Sequence, residues 1–190
     1  MVVLDLASEQ RDNQNMDESV PSYTKKQAAL VLVYDLYRSA LLNARYYGHR
    51  ADATSRANRK LQIAAAVCSS ATLFGVIQNT WPPAALVLTA AGALVSAVFP
   101  LLGLADRAAR FERLHFSYQT LYHQVDLLVG RIRSSHDFTA EDHASYELLS
   151  QLYAQLGPLD ELRPNQTLIR QLTEKVNGLI PADSLWLPQE

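Results

Sequence analysis

No aspartate, glutamate, lysine, arginine or histidine occurs between Leu61 and Ala105, although the 190-residue chain carries 17 basic and 19 acidic side chains elsewhere. A mean hydropathy of -0.07 would suit a soluble protein, but the average hides that segregation. A hairpin buried in a soluble bundle rarely runs about 45 residues without a charge, because its ends meet water. There is one cysteine, Cys68, so an internal disulfide is excluded. Its place in an apolar run reads as a small buried residue. Glycine is scarce at seven residues, and no phosphate-cradling loop or nucleophile elbow is present. The five histidines (His49, His115, His123, His136 and His143) include no pair at the four-residue spacing that sets two imidazoles on one metal. The net charge of -2 is too small for a nucleic-acid footprint. No catalytic constellation stands out, so no enzyme, metal or cofactor is expected.

What is present is two apolar runs. Leu61 to Ile77 spans 17 residues, near the lower limit for crossing a hydrocarbon core of roughly 30 Å. Gln78, Asn79 and Thr80 extend it into the headgroup layer. Pro83 to Leu104 spans 22 residues, enough to cross with some tilt. Trp81 suits the interface, and Pro82 with Pro83 ends one helix and opens the next. The expected fold class is therefore all-α: a two-span transmembrane helical hairpin, spans 61–80 and 83–104, with long cytoplasmic helical extensions. Arg45, Arg50, Arg56, Arg59 and Lys60 precede the hairpin, Arg107, Arg110 and Arg113 follow it, and the connecting loop has no cation. By the positive-inside tendency both termini are cytoplasmic. The alternative is a helical hairpin inside a soluble bundle.

The flanks read as helices. Residues 1–20 form an acidic leader, expected to be disordered, with no basic start of the kind a secretory signal needs. Residues 21–60 are a helix leading into the membrane, with Leu30, Tyr34, Tyr37, Leu41 and Ala44 as a heptad-like stripe. Within 106–190, Phe111, Leu114, Tyr118, Leu121, Val125, Leu128 and Ile132 repeat that alternation. The two stripes can pack on each other or on neighbouring subunits. Thr139-Ala-Glu-Asp predicts a capping box, and Gly157-Pro158 the end of the helix it opens. Tyr146, Leu149, Tyr153 and Leu156 are its apolar face. Pro164 opens a last helix striped by Leu168, Leu172, Val176 and Leu179. Trp186 docks on the bundle or touches lipid.

Two sets of residues are candidates for function. Cys68, Thr72, Gly75 and Asn79 on the first span, and Thr89, Gly92, Ser96 and Gly103 on the second, form small-polar stripes at helical spacing. They pack helices closely, or in an oligomer one stripe lines a water-filled path. Pro100 gives the second span a place to bend. Arg50, Arg56, Arg59, Lys60, Arg107, Arg110 and Arg113 are topology anchors, or a cytoplasmic ring that binds anionic lipid, a nucleotide or a passing anion.

The helix YDLYRSALLNARYYGHRADATSRANRK running into the first span, the tight QNTWPP turn, and LADRAARFERLHFSYQTLYHQV leaving the second carry a family resemblance. From Tyr34 to Ile132 the chain resembles the SLATT family, the two-transmembrane effector domains associated with nucleotide-second-messenger systems of prokaryotes. The resemblance implies a pore-forming or membrane-perturbing antiviral effector of the inner membrane, acting by abortive infection. It implies a homo-oligomer switched by a separate sensor protein or a nucleotide second messenger. It brings no catalytic residues, and the chain lacks the fused sensor of multidomain members. A different class, a non-conducting membrane anchor whose cytoplasmic helices scaffold a partner, fits the same layout.

Overall fold

The computed structural model describes residues 25–68 and 103–181, with residues 83, 87, 90, 92, 93, 185 and 186. Among these the chain is helical, with no strand: α1 (Lys25–Cys68), α2 (Leu104–Ser135), α3 (Ala140–Leu156), a 3-10 turn (Gly157–Leu159) and α4 (Gln166–Leu179). The all-α expectation holds at that level. No described helix is long and apolar enough to cross a membrane. Most of both expected spans, and the acidic leader 1–20, lie outside the described residues.

The chain divides into two compact units, one made of the residues up to Tyr47 and from Leu114 onward, the other of Gly48–Arg113. In the first, α1 buries Leu30, Val33, Tyr34, Leu36, Tyr37, Ala40, Leu42, Ala44, Tyr46 and Tyr47. That is wider than the heptad stripe, of which Leu41 is only half-buried. A helix apolar on most sides has to be covered on most sides. On α2 the stripe holds in full: Leu114, Tyr118, Leu121, Val125, Leu128 and Ile132 are all buried. Tyr37 meets Tyr122 and Asp126, whereas Ala44 meets His115, so the numbering falls on α2 as it rises on α1. These parts of the two helices are antiparallel, and their stripes pack on each other within one chain.

The capping box forms as expected. Asp142 N–H donates to the Thr139 hydroxyl at 3.2 Å, and Thr139 N–H donates to the Asp142 carboxylate at 3.0 Å. Asp142 is 1% exposed, with its second oxygen 3.6 Å from the Arg131 guanidinium. α3 ends at Leu156, where Gly157 begins the 3-10 turn around Pro158. In α4 the expected stripe holds at its centre, Leu172 and Val176, and misses at both ends. Ile169, Leu172, Val176 and Ile180 are buried, Leu168 is half-buried and Leu179 is exposed. Both sets satisfy a helical repeat, so spacing alone could not choose. The Ile180 backbone decides: its N–H donates to Val176, and its carbonyl accepts two bonds from Arg38, at 2.7 and 3.2 Å.

α2 stops at His136, whose φ of +51° is the left-handed conformation of a helix terminus. The tail then docks on the bundle. Tyr34 donates to the Trp186 carbonyl at 2.9 Å, and the Trp186 ring stands edge-on to His136, centroids 5.5 Å apart. Trp186 is thus a bundle contact. Lys26, at the start of α1, pairs with Asp137 in the loop before α3 and holds its carboxyl below the usual range.

In the second unit the Arg50 guanidinium lies 5.2 Å over the Phe111 ring, joining α1 to α2 by a cation–π contact. Gly103 has φ +53° and its carbonyl accepts from Arg107 N–H at 3.0 Å, so it begins α2 from a conformation that suits glycine.

Thr139→Ala removes one half of the capping box. Thermal unfolding followed by circular dichroism should report a loss of about 1 kcal/mol, restored in Thr139→Ser.

Candidate functional site

The expected site residues all fall in Gly48–Arg113. Thr72, Gly75, Asn79, Thr89 and Ser96 lie outside the described residues, as does Pro100. Cys68 is the last residue of α1, and Gly92 is helical and half-buried. Gly103 is not inside a helix as the stripe assumed. Its positive φ places it just before α2.

Every described residue from Leu61 to Cys68 whose side chain is defined is half-buried or exposed, and so are residues 83, 87, 90, 92 and 93. Ile63 is 56% exposed, Val67 49% and Val87 67%. None of the described side chains in the charge-free segment is fully buried. Of the basic set, Arg56, Arg59, Lys60, Arg107, Arg110 and Arg113 are exposed, and Arg50 is half-buried over Phe111. The unit holds seven lysines and arginines against three acids, a net of +4, and the rest of the chain is left with ten against sixteen, a net of -6.

The other unit holds a polar network that sequence reasoning missed. Tyr47 from α1 and Tyr118 from α2 both donate to one oxygen of Asp160, each at 2.9 Å. Their rings are parallel within 4°, centroids 5.6 Å apart. Asp160 is 5% exposed, at the end of the 3-10 turn. Tyr46 donates to the Glu161 carboxylate at 2.7 Å and accepts from Asn165 N–H at 2.9 Å. The Tyr47 hydroxyl accepts from Glu161 N–H, and Asn43 donates to Tyr153. Nearer the other end, Tyr37 donates to Asp126 at 2.7 Å and stacks on Tyr122. The one available signal was tyrosine where a stripe would place leucine: a buried phenol needs a partner for its hydroxyl.

Burial pushes the phenols of Tyr37, Tyr47 and Tyr118 well above their ordinary value of 10.0, and neighbouring oxygens reinforce it: Tyr122 and Asp126 for Tyr37, Asp160 for the other two. Burial also raises Tyr34 and Tyr153. The hydroxyls of Tyr34, Tyr37, Tyr47 and Tyr118 are donors bonded to acceptors, which suits holding a fold and not exchanging protons. Among the described residues no group of three or more His, Cys, Asp or Glu could hold a metal ion.

No family model, curated protein or solved structure matches the chain.

Two outcomes follow for this unit. Asp160→Ala leaves two buried hydroxyls without their acceptor and should lower stability by about 2–4 kcal/mol in thermal or urea unfolding, with Asp160→Asn losing less. The raised phenols stabilise the fold fully below their unfolded value of 10.0 and cease to as pH climbs toward their folded values. Tyrosinate absorbance on alkaline titration should therefore appear in a late cooperative step that coincides with loss of helicity.

Proposed function

We propose that the protein is a membrane effector of a prokaryotic anti-phage defence system. It oligomerises in the inner membrane, with both termini cytoplasmic, and permeabilises or perturbs the bilayer when a nucleotide signal or a separate sensor protein triggers it. The observation that carries the reading is the exposure of Ile63, Val67 and Val87, described residues of the charge-free segment, where the same chain buries the apolar stripe of α2. Removing each large apolar side chain from water contributes about 1.5–3 kcal/mol. A segment of about 45 residues without a charge gains that only in an apolar medium. The resemblance to SLATT effectors of the helices flanking it adds the functional class.

The heptad stripes bury each other within one chain, so the subunits of the proposed oligomer meet through other surfaces. Gly92 and Ser96 remain the residues proposed to line an opening. A second reading, a non-conducting anchor that scaffolds a partner, is favoured by the leucines Leu148, Leu152 and Leu162, which the first unit leaves exposed.

Dye release from liposomes by the purified chain, with and without cyclic nucleotides, separates these readings. The expected result is triggered release, lost in Gly92→Leu/Ser96→Leu with insertion and oligomer size unchanged. Full release by the double variant would sink the stripe. Verified insertion without leakage or toxicity under any trigger would establish the anchor instead.

A further inference from the structure

The unit Gly48–Arg113 displays cations it does not use. Arg56, Arg59, Lys60, Arg107 and Arg113 are exposed, and none makes an ion pair with a described residue. Arg56 Nε donates to the Asp52 carbonyl one turn back, which orients the guanidinium without neutralising it. The three acids of the unit, Asp52, Asp106 and Glu112, are outnumbered. Position matters as much as number. Arg59 and Lys60 immediately precede Leu61, where the charge-free segment starts, and Arg107 and Arg113 follow soon after it ends at Ala105. Arg56, Arg59 and Lys60 also fall at three- and four-residue steps on α1, so they share one helical face.

We propose that these five residues form a collar that binds the phosphates of anionic lipid headgroups. The inference rests on the membrane reading and adds a lipid preference to it. Guanidinium forks match phosphate oxygens in bidentate pairs, and Lys60 acts as a point charge. Long aliphatic stems let the heads reach the headgroup layer while the helix meets the hydrocarbon. The collar differs from a topology signal, which leaves no lasting preference among lipids. Each lysine or arginine near an anionic surface strengthens binding roughly five-fold, so the five together are worth on the order of a thousand-fold at low salt. Exposed charges are screened, so the preference shrinks as salt rises.

The test is flotation of the purified full chain with vesicles of phosphatidylcholine alone or mixed with phosphatidylglycerol, at low and high salt. The wild type should float with both and far more strongly with the anionic vesicles, the difference collapsing at high salt. R56Q/R59Q/K60Q/R107Q/R113Q should lose that difference while still floating with neutral vesicles and keeping its tyrosine near-ultraviolet dichroism. The charge-conserving R56K/R59K/R107K/R113K should retain most of it. Equal flotation of the wild type with both vesicles overturns the collar and leaves the membrane reading standing. Failure to float with either overturns both. Release from anionic vesicles by inorganic phosphate at constant ionic strength overturns the lipid assignment in favour of a small-anion site.

Discussion

One carboxylate oxygen of Asp160 receives a hydroxyl from each of the two long helices. A carboxylate at 5% exposure is costly unless its lone pairs are occupied, and two hydroxyls at 2.9 Å occupy those of one oxygen. The same contact satisfies two phenols that would otherwise be buried donors. It binds the turn after α3 to both α1 and α2 at once. Glu161 and Asn165, one and five residues further on, are held by Tyr46 and Tyr47, so the start of α4 is set by the same few hydroxyls. Hydrocarbon packing and the Tyr37–Asp126 bond hold α1 to α2, and the bonds of Asp160, Glu161 and Asn165 fix how the turn and the start of α4 join them.

The sequence was readable where one physical rule sufficed. The α2 stripe repeats at alternating steps and is buried throughout, and the Thr139 box needed only a hydroxyl and an acid three residues apart. The helix predicted to run past Gly48 into the apolar segment does so, since one glycine costs a long helix only about 1 kcal/mol. Reading failed where two rules competed. In α4, Leu179 and Ile180 both fit the repeat, and a bond from Arg38, more than a hundred residues upstream, chose between them. The Asp160 cluster was invisible because its members come from three separate stretches, and a lone acid in a turn resembles any solvated acid. Gly103 looked like one more small residue on a face, since spacing carries no information about φ.

The two units divide labour by chemistry. The one in which seven of the described tyrosines are paired or stacked is net acidic and turns those hydroxyls inward. The other is net basic, and among its described residues Arg56, Arg59, Lys60, Arg107, Arg110 and Arg113 are exposed, as are Ile63, Val67 and Val87. The strongly raised phenols belong to the fold: their hydroxyls are already engaged.

The tail beyond α4 is gripped by its backbone. Arg38 holds the carbonyl of Ile180 and Tyr34 the carbonyl of Trp186, groups that every amino acid possesses. A bond to a carbonyl places no demand on the side chain of the residue that carries it, so through these contacts the tail constrains Arg38 and Tyr34 on α1. An alignment of orthologues would show the imprint of the tail on the helix that receives it, 142 and 152 positions upstream, more clearly than on the tail itself.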